Sequence, residues 1–251
     1  MRFSIAIPTH DRGSNGPKWM RELLYSIKTQ TFRDLEIVVS DQSKNDNILN
    51  VCKEYSDDFK FKYVRYTGNI PCENINIALK ECEGEIIKIM FSDDIFINDK
   101  SLEIIDKEYQ ESKCSWAFSG FCGTKDGKNF YDYKKPRWTD YMLEGRNLLS
   151  SPSVVSFLNI SKEYFDENLK LLLDTDFYHR MRWENGPPHI IEEFLVANRD
   201  HDDRISSHQT SKYDAVMEHP EGNWMINTEE FHYIQNKHSE FVKNRKYPDE
   251  N

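Results

Sequence analysis

The chain predicts an α/β fold in which a mostly parallel sheet is covered by helices on both faces. Three observations point there. The strand-like segments are short and continuously apolar rather than alternating, amphipathic helical repeats stand between them, and three successive strands end in polar clusters that contain Asp. Apolar strands alternating with helices belong to parallel sheets buried on both faces. In such sheets ligands bind beyond the carboxyl ends of the strands.

The elements follow in order. Phe3 to Pro8 reads as a buried strand and Thr9 to Gly16 as a polar loop. Pro17 suits the first turn of a helix, whose apolar face is Met20, Leu23, Leu24 and Ile27 at i, i+3, i+4 and i+7. Leu35 to Val39 is a second apolar strand, ending at Ser40-Asp41-Gln42-Ser43. A helix over Asn47 to Tyr55 and a strand over Phe61 to Tyr66 come next. Ile75, Ala78, Leu79 and Cys82 repeat the helical spacing, with Gly84 as the expected stop. Glu85 to Phe91 is the next strand, and it opens onto Ser92-Asp93-Asp94.

The second half predicts a helix over 99–113, a strand from Trp116 to Phe121 and a polar, aromatic-rich hairpin or loop from Gly123 to Arg137. A strand at Val154 to Leu158 precedes a short turn beginning at Ser161 or Phe165. Leu171 to Trp183 is helical with Asp174 near its start, Ile190 to Ala197 is strand-like, and Asn198 to Ser207 is a charged stretch. From Tyr213 onward one or two helices are expected to pack on the domain, with a frayed end from Lys246. Without an internal repeat or a low-complexity linker, residues 1–207 read as one domain and 208–251 as a helical extension packed on it.

The 251-residue chain carries a net charge of -10, which opposes bulk nucleic-acid binding, since that needs a basic face. Cys52, Cys72, Cys82, Cys114 and Cys122 are odd in number and make no CxxC pair, so reduced thiols in a cytoplasmic protein are expected. Met1 to Ile5 enters a strand without a signal-peptide pattern, and no apolar run approaches the roughly 20 residues of a membrane helix. The sequon Asn159-Ile160-Ser161 is therefore expected to be incidental, and any membrane contact to be peripheral.

Thr9-His10-Asp11, Asp41-Gln42-Ser43 and Ser92-Asp93-Asp94 converge on one sheet edge. Adjacent carboxylates at the end of a buried strand are costly to desolvate unless a cation or hydrogen-bond donors meet them. Hard oxygens suit Mg²⁺ or Mn²⁺, which commonly bridge a protein carboxylate to substrate phosphates. The plainer reading of Asp93-Asp94 is a solvated pair capping the next helix.

Several pieces in order resemble the family 2 glycosyltransferases. They are Ser4-Ile-Ala-Ile-Pro-Thr-His-Asp-Arg12, Leu24-Tyr-Ser-Ile-Lys-Thr-Gln-Thr-Phe32 and Leu35-Glu-Ile-Val-Val-Ser-Asp-Gln-Ser43, then Asn74 to Leu79, Gly84 to Ile87 and Ser92-Asp-Asp94. Tyr164-Phe-Asp-Glu-Asn168, Leu173-Asp-Thr-Asp-Phe-Tyr-His-Arg180 and Arg199-Asp-His-Asp-Asp-Arg-Ile-Ser206 complete the set over roughly residues 3–207. The resemblance implies the GT-A fold, a Rossmann-like α/β/α sandwich with a mostly parallel central sheet, here with a helical C-terminal tail. It implies a nucleotide-diphosphate sugar donor, a UDP-sugar first among them, a divalent Mn²⁺ or Mg²⁺ ion, and transfer with inversion to a glycan or lipid-linked acceptor. By match to the motif, Pro8, Thr9 and Asp11 would line the nucleotide, Asp41 would meet the base edge, Asp93 would lie near the ribose and Asp94 would hold the metal. His201 would ligate the metal or contact the diphosphate, unless it is a surface histidine among Asp200, Asp202 and Asp203. Many members carry Asp-x-Asp-Asp, where this chain has Phe91 first; a Ser/Thr-Asp-Asp form also occurs, so the donor site survives with a thinner metal shell.

Inverting displacement of a diphosphate passes through an oxocarbenium-like state and needs one base opposite the leaving group. The family's base position falls on Asp174, with Asp176 as its rival; two positions along a helix face different ways, so only one of them enters the cleft. Arg199 and Arg204 would neutralise phosphate or pair with neighbouring acids. Phe130, Tyr131, Tyr133, Trp138 and Tyr141 would form an acceptor wall or simply cover the core, and Trp224 reads as core. Two other functions stay open: a sugar-phosphate nucleotidyltransferase, for which Arg12-Gly13 and Lys18 faintly echo the loop required, and a non-catalytic sugar-nucleotide binder.

Overall fold

The computed structural model describes residues 1–11, 15–160, 164–202, 204, 215–218 and 223–250. Expectations placed on Arg12, Gly13, Ser161, Asp203, residues 205–207 and Tyr213 lie outside the described residues.

The first half alternates strand and helix: β1 (Phe3–Thr9), α1 (Asn15–Lys28), β2 (Leu35–Asp41), α2 (Asn47–Glu54), β3 (Lys60–Arg65), α3 (Pro71–Lys80) and β4 (Ile86–Ile89). These four strands are parallel, in the order β3-β2-β1-β4. The second half holds β5 (Ile95–Phe96), α4 (Ser101–Ser112), β6 (Trp116–Thr124), β7 (Phe130–Lys134), β8 (Val155–Leu158), α5 (Leu173–Asn185) and β9 (His189–Arg199). The sheet continues β4-β8-β6-β9-β5, with the β6–β7 hairpin beside it.

The longest pairings of the sheet are parallel, as expected, and shorter antiparallel ones join them. β8 runs antiparallel to both β4 and β6, and β5 is antiparallel to β9, while β6 and β9 are parallel. The physical reason lies in the connections. Helical crossovers return each of the first strands to the same direction, whereas β8 is inserted between β4 and β6 in the reverse sense.

Alternation along β1 separates two helical layers. Phe3, Ile5 and Ile7 join the core made by Met20, Leu23, Leu24 and Ile27 of α1 and Leu102 and Ile105 of α4. Ala6 faces the opposite core, with Ile75 and Leu79 of α3 and Phe177, Tyr178 and Met181 of α5. Thus α3 and α5, which flank the strand ends from one side, are fixed by the same layer.

Gly84 is not a helix stop. α3 ends at Lys80, and Glu81 closes it in an ordinary right-handed conformation. Gly84 instead runs against β1, where a Cβ would stand 2.6 Å from the Phe3 carbonyl carbon and the Ser4 nitrogen. Its N–H donates to Ser4 Oγ at 2.7 Å.

The tail is also less helical than expected. An antiparallel strand pair, β10 (Ala215–Met217) and β11 (Trp224–Ile226), precedes two helices, Thr228–Lys237 and Ser239–Asn244. Three-residue strands are too short for a periodicity to reveal. Ile234, Phe241 and Tyr247 of the tail bury themselves with Leu143, Leu169 and Leu172. Trp224 is half-buried rather than core, and its indole N–H donates to the Glu144 carbonyl at 2.7 Å.

Candidate active site

The carboxyl ends of β1, β2 and β4 open into a cavity of about 390 Å³, within the range that encloses a small-molecule ligand. Its floor is stitched together by short polar side chains. Thr9 Oγ1 donates to Ser92 Oγ at 2.9 Å, joining the end of β1 to the loop after β4. Asn74 of α3 accepts from Ser40 Oγ at 2.6 Å and donates to the Thr9 carbonyl at 3.2 Å, bridging β1 and β2. Pro8, Thr9, Asp93, Asp94 and Asp174 all line the cavity, together with His10, Gln42, Phe91, Lys170 and Arg204. The Asp93-Asp94 pair is therefore no helix cap: α4 begins only at Ser101.

Two expected ligand residues are held elsewhere. Asp41 is fully buried; Oδ1 accepts from Ser43 N at 2.8 Å and Oδ2 from Tyr63 OH at 2.6 Å, and neither oxygen lines the cavity. Its neighbour Gln42 faces the space instead, as the alternation of a strand requires. Asp11 accepts from the Asn45 amide and lies off the cavity wall.

Asp94 is almost fully buried, with Oδ1 accepting from the Arg199 backbone N–H at 2.8 Å. Burial first, and the Asp93 carboxylate second, push its carboxyl well above the ordinary range, against hydrogen bonds from Ser153 and Arg199. Arg199 itself is 1% exposed; its Nε donates to the Asp93 carbonyl at 2.8 Å and its guanidinium pairs with Glu22 of α1. So Arg199 pairs with an acid from the opposite layer, not with its own neighbours, and it clamps the loop that carries both aspartates. His201 Nε2 stands 2.9 Å from Asp93 Oδ2, and its ring lies on Trp19 at 4.2 Å between centroids. Arg204 lines the cavity and pairs with Asp200 at 3.4 Å.

Lys88, concealed in the apolar run of β4, is fully buried beneath this loop. Its ammonium donates to the carbonyls of Ser153 and Val155, and burial pulls its pKa down to about 7 while the Asp94 charge opposes the shift. Ser153 Oγ in turn accepts from Phe91 N at 2.8 Å, so the turn Pro152–Val154 is tied to the aspartate loop from below. Sequence reasoning passed over Lys88 and Ser153; the one signal was a lysine within an otherwise apolar strand.

The donor set fits a hard divalent ion. Asp93 and Asp94 offer adjacent carboxylate oxygens at the cavity wall, hard donors of the kind such an ion takes. Among the described residues no three His, Cys, Asp or Glu side chains form a metal cage. An ion held by one or two carboxylates keeps positions open for phosphate oxygens and water, as Mg²⁺ and Mn²⁺ do. His201 is engaged with Asp93 and is absent from the cavity wall, so the geometry makes it a partner of that carboxylate rather than an evident ligand.

Asp174 and Asp176 part company as the helical rotation requires. Asp174, near the start of α5, lines the cavity; Oδ1 accepts from Thr175 N at 2.8 Å and Oδ2 from Asn147 Nδ2 at 2.7 Å. Burial raises its carboxyl to about 6, against those two hydrogen bonds. Asp176 is fully buried on the other side, bonded to Arg180 Nε at 2.9 Å and to Lys237 Nζ and His238 Nε2 at 2.8 Å each. The aromatics expected as an acceptor wall stay off the cavity. Trp138 packs on Trp116 and Tyr247, Phe130 on the cluster of Ile95, Cys122 and Ala197, and Tyr131 and Tyr133 stand exposed on the hairpin.

A family profile described as glycosyl transferase family 2 matches residues 4–182. The poly(ribitol-phosphate) beta-N-acetylglucosaminyltransferase TarS of Staphylococcus aureus (strain MW2) is 29% identical over 189 residues, covering 70% of this chain and 32% of that protein. An uncharacterized glycosyltransferase of Rickettsia typhi is 24% identical over 232 residues, covering 85% of this chain and 69% of the relative. The chain thus spans about a third of the length of the S. aureus relative. Among solved structures, S. aureus TarS 1–349 in complex with UDP-GlcNAc superposes with a TM-score of 0.67 at 22% identity, over 82% of this chain and 61% of that one. The mannosyltransferase PcManGT from Pyrobaculum calidifontis, in complex with GDP-Man and Mn²⁺, gives 0.60 at 16% identity, over 83% and 59%. At these identities the structures establish the shared GT-A fold.

Proposed function

The chain belongs to glycosyl transferase family 2, and from that premise we propose that it moves a sugar from a nucleoside-diphosphate donor to an acceptor hydroxyl with inversion at the anomeric carbon. The observation that carries the reading is the meeting of Asp174 with the Asp93-Asp94 pair in one cavity at the strand ends. UDP-GlcNAc is the donor we favour, supported by the TarS complex of the same fold.

In this reading the nucleotide lies along Pro8 and Thr9 with its diphosphate toward Asp93 and Asp94. Asp11, Asp41 and His201 act behind the wall, Asp41 by fixing the strand end that presents Gln42. Mn²⁺ or Mg²⁺ held by Asp94 would neutralise the charge growing on the diphosphate; the Mn²⁺ complex of the mannosyltransferase supports such an ion. Asp174 takes the proton of the acceptor hydroxyl as the new glycosidic bond forms, and the sugar–phosphate bond breaks on the opposite face. A carboxyl of pKa about 6 is ionised at neutral pH yet basic enough to receive that proton.

The acceptor we propose is a glycan, a polyol-phosphate polymer or a lipid-linked saccharide, with Lys170 and Arg204 at the cavity wall suited to an anionic chain. We assign the reaction to the cytoplasm, consistent with five free cysteines. No helix among the described residues is long and apolar enough to cross a membrane. Residues 208–251 we regard as an extension of the 1–207 domain.

The test is release of UDP from UDP-GlcNAc with Mn²⁺, first without and then with acceptor polymers. Slow hydrolysis that Asp94→Ala abolishes supports a transferase. Tight UDP-GlcNAc binding with no turnover under any acceptor would make the protein a binder.

A further inference from the structure

We propose that Glu230, on the first tail helix, is a positioning residue for the reaction, its carboxylate fixing residues 170–172 so that α5 starts where it aims Asp174 into the cavity. The inference rests on the reading of Asp174 as the base.

Glu230 Oε1 accepts from Lys170 N, and Oε2 accepts from Leu171 N and Leu172 N, each at 2.9 Å. Three consecutive backbone N–H groups therefore converge on one side chain from a distant part of the chain. Only a carboxylate can receive all three, since it carries two acceptor oxygens and no donor. Such charge-assisted bonds are roughly twice as strong as neutral ones. Glu230 is itself fixed, because its N–H donates to Asn227 Oδ1 at 2.9 Å at the start of the tail helix.

The segment so held is the cavity wall. Lys170, Leu171, Leu173 and Asp174 all line the cavity, and Leu172 is the residue from which α5 departs. Leu172 is also buried against Ile234 and Phe241 of the tail. Beyond Asp174 the tail takes a second hold, through Lys237 and His238 on the buried Asp176. The base thus sits between two points gripped by the same extension, which lies outside the residues matched by the family profile.

The charge of Glu230 also acts on Asp174 through space, making it harder to ionise. The other groups around Asp174 are the Asn147 amide, the Thr175 N–H, and Lys170, Arg204, Asp93 and Asp94 along the cavity.

Glu230→Gln and Glu230→Asp in the full chain test the proposal, with UDP-GlcNAc hydrolysis in Mn²⁺ as the turnover assay and calorimetric UDP binding as the measure of the donor site. In Glu230→Gln, kcat should fall at least about tenfold, as expected when a catalytic group is misplaced. Donor KM and UDP affinity should stay within about twofold, and the acid limb of the kcat profile should move to lower pH. Glu230→Asp keeps the charge but shortens the reach, so kcat should fall with the limb unmoved. Wild-type kcat in both variants overturns the proposal. So does a loss of UDP affinity that parallels the loss of turnover, which would make Glu230 a general support of the fold. Asp174→Asn is run beside them: if it keeps wild-type kcat while Glu230→Gln is slow, the base assignment has failed and not the positioning of segment 170–172.

Discussion

Replacing Asp174 by Asn isolates the proton transfer from everything else the cavity does. The side chain keeps its shape, but one of its two contacts must go. Asn147 holds its own Oδ1 against Leu149 N and Ser150 N, so its amide cannot turn over to accept from the new NH₂ group. A single carboxamide oxygen cannot serve both Thr175 N and Asn147 Nδ2, and the lost bond costs about 1 kcal/mol. That is small beside the expected effect on rate, since general base catalysis contributes about 10²–10⁴-fold. With the Asp174 carboxyl near 6, about 90% is ionised at pH 7 and about 10% at pH 5. The sign follows directly: protonated Asp174 cannot receive a proton, so wild-type kcat falls about tenfold per unit below pH 6. UDP release followed from pH 4.5 to 8 should show this limb in the wild type and a flat, low profile in Asp174→Asn, with UDP affinity unchanged. A variant within about twofold of wild type, or a wild-type profile flat down to pH 5, would refute the reasoning.

Three further outcomes follow from the site and its supports. Chelation of divalent ions should weaken calorimetric UDP binding by at least about tenfold, restored by Mn²⁺ but not by Na⁺, because Asp94 without a cation repels the diphosphate. Asp176→Asn should destabilise the chain in urea by about 3 kcal/mol, since Arg180 and Lys237 lose a shared buried partner, while UDP affinity persists. Gly84→Ala should cost about 2 kcal/mol in the same assay, because a methyl 2.6 Å from the β1 backbone forces β1 and β4 apart; unchanged stability would mean that the contact relaxes freely.

The strand-end wall of the cavity was legible because its signals are local. Apolar runs mark β1, β2 and β4, and the polar residues that follow them fall on one edge once the strands are parallel. The motif drew attention to Asp174 and Asp176, and helical rotation required that only one of them face the cavity, which is Asp174. What stayed hidden depends on pairings across long stretches of sequence. Lys88 looks like a solvated lysine until β8 covers it, and Arg199 looks like one member of a charged stretch until it reaches Asp93 and Glu22. Asp41 carries the motif of a wall residue, yet the Tyr63 hydroxyl, 22 residues away, and the Ser43 backbone N–H, 2 residues away, turn it inward. β8 reverses the sheet without any change in composition, because an apolar strand looks the same in either direction.

The smallest strand has a bearing on how the protein comes into being. β5 is two residues long, and among the described strands its one partner is β9, with Ile95 opposite Ala197 and Phe96 opposite Val196. Directly before β5 stand Asp93 and Asp94, and two residues beyond Ala197 in β9 stands Arg199, which holds both. A growing chain that has emerged only through α4 possesses the two aspartates but no surface to hold them. Closing a loop of about a hundred residues is slow compared with forming helices. The end of the cavity that carries the two aspartates therefore takes its shape only once β9 has paired with β6, so folding order and site assembly are tied to the same long-range contact.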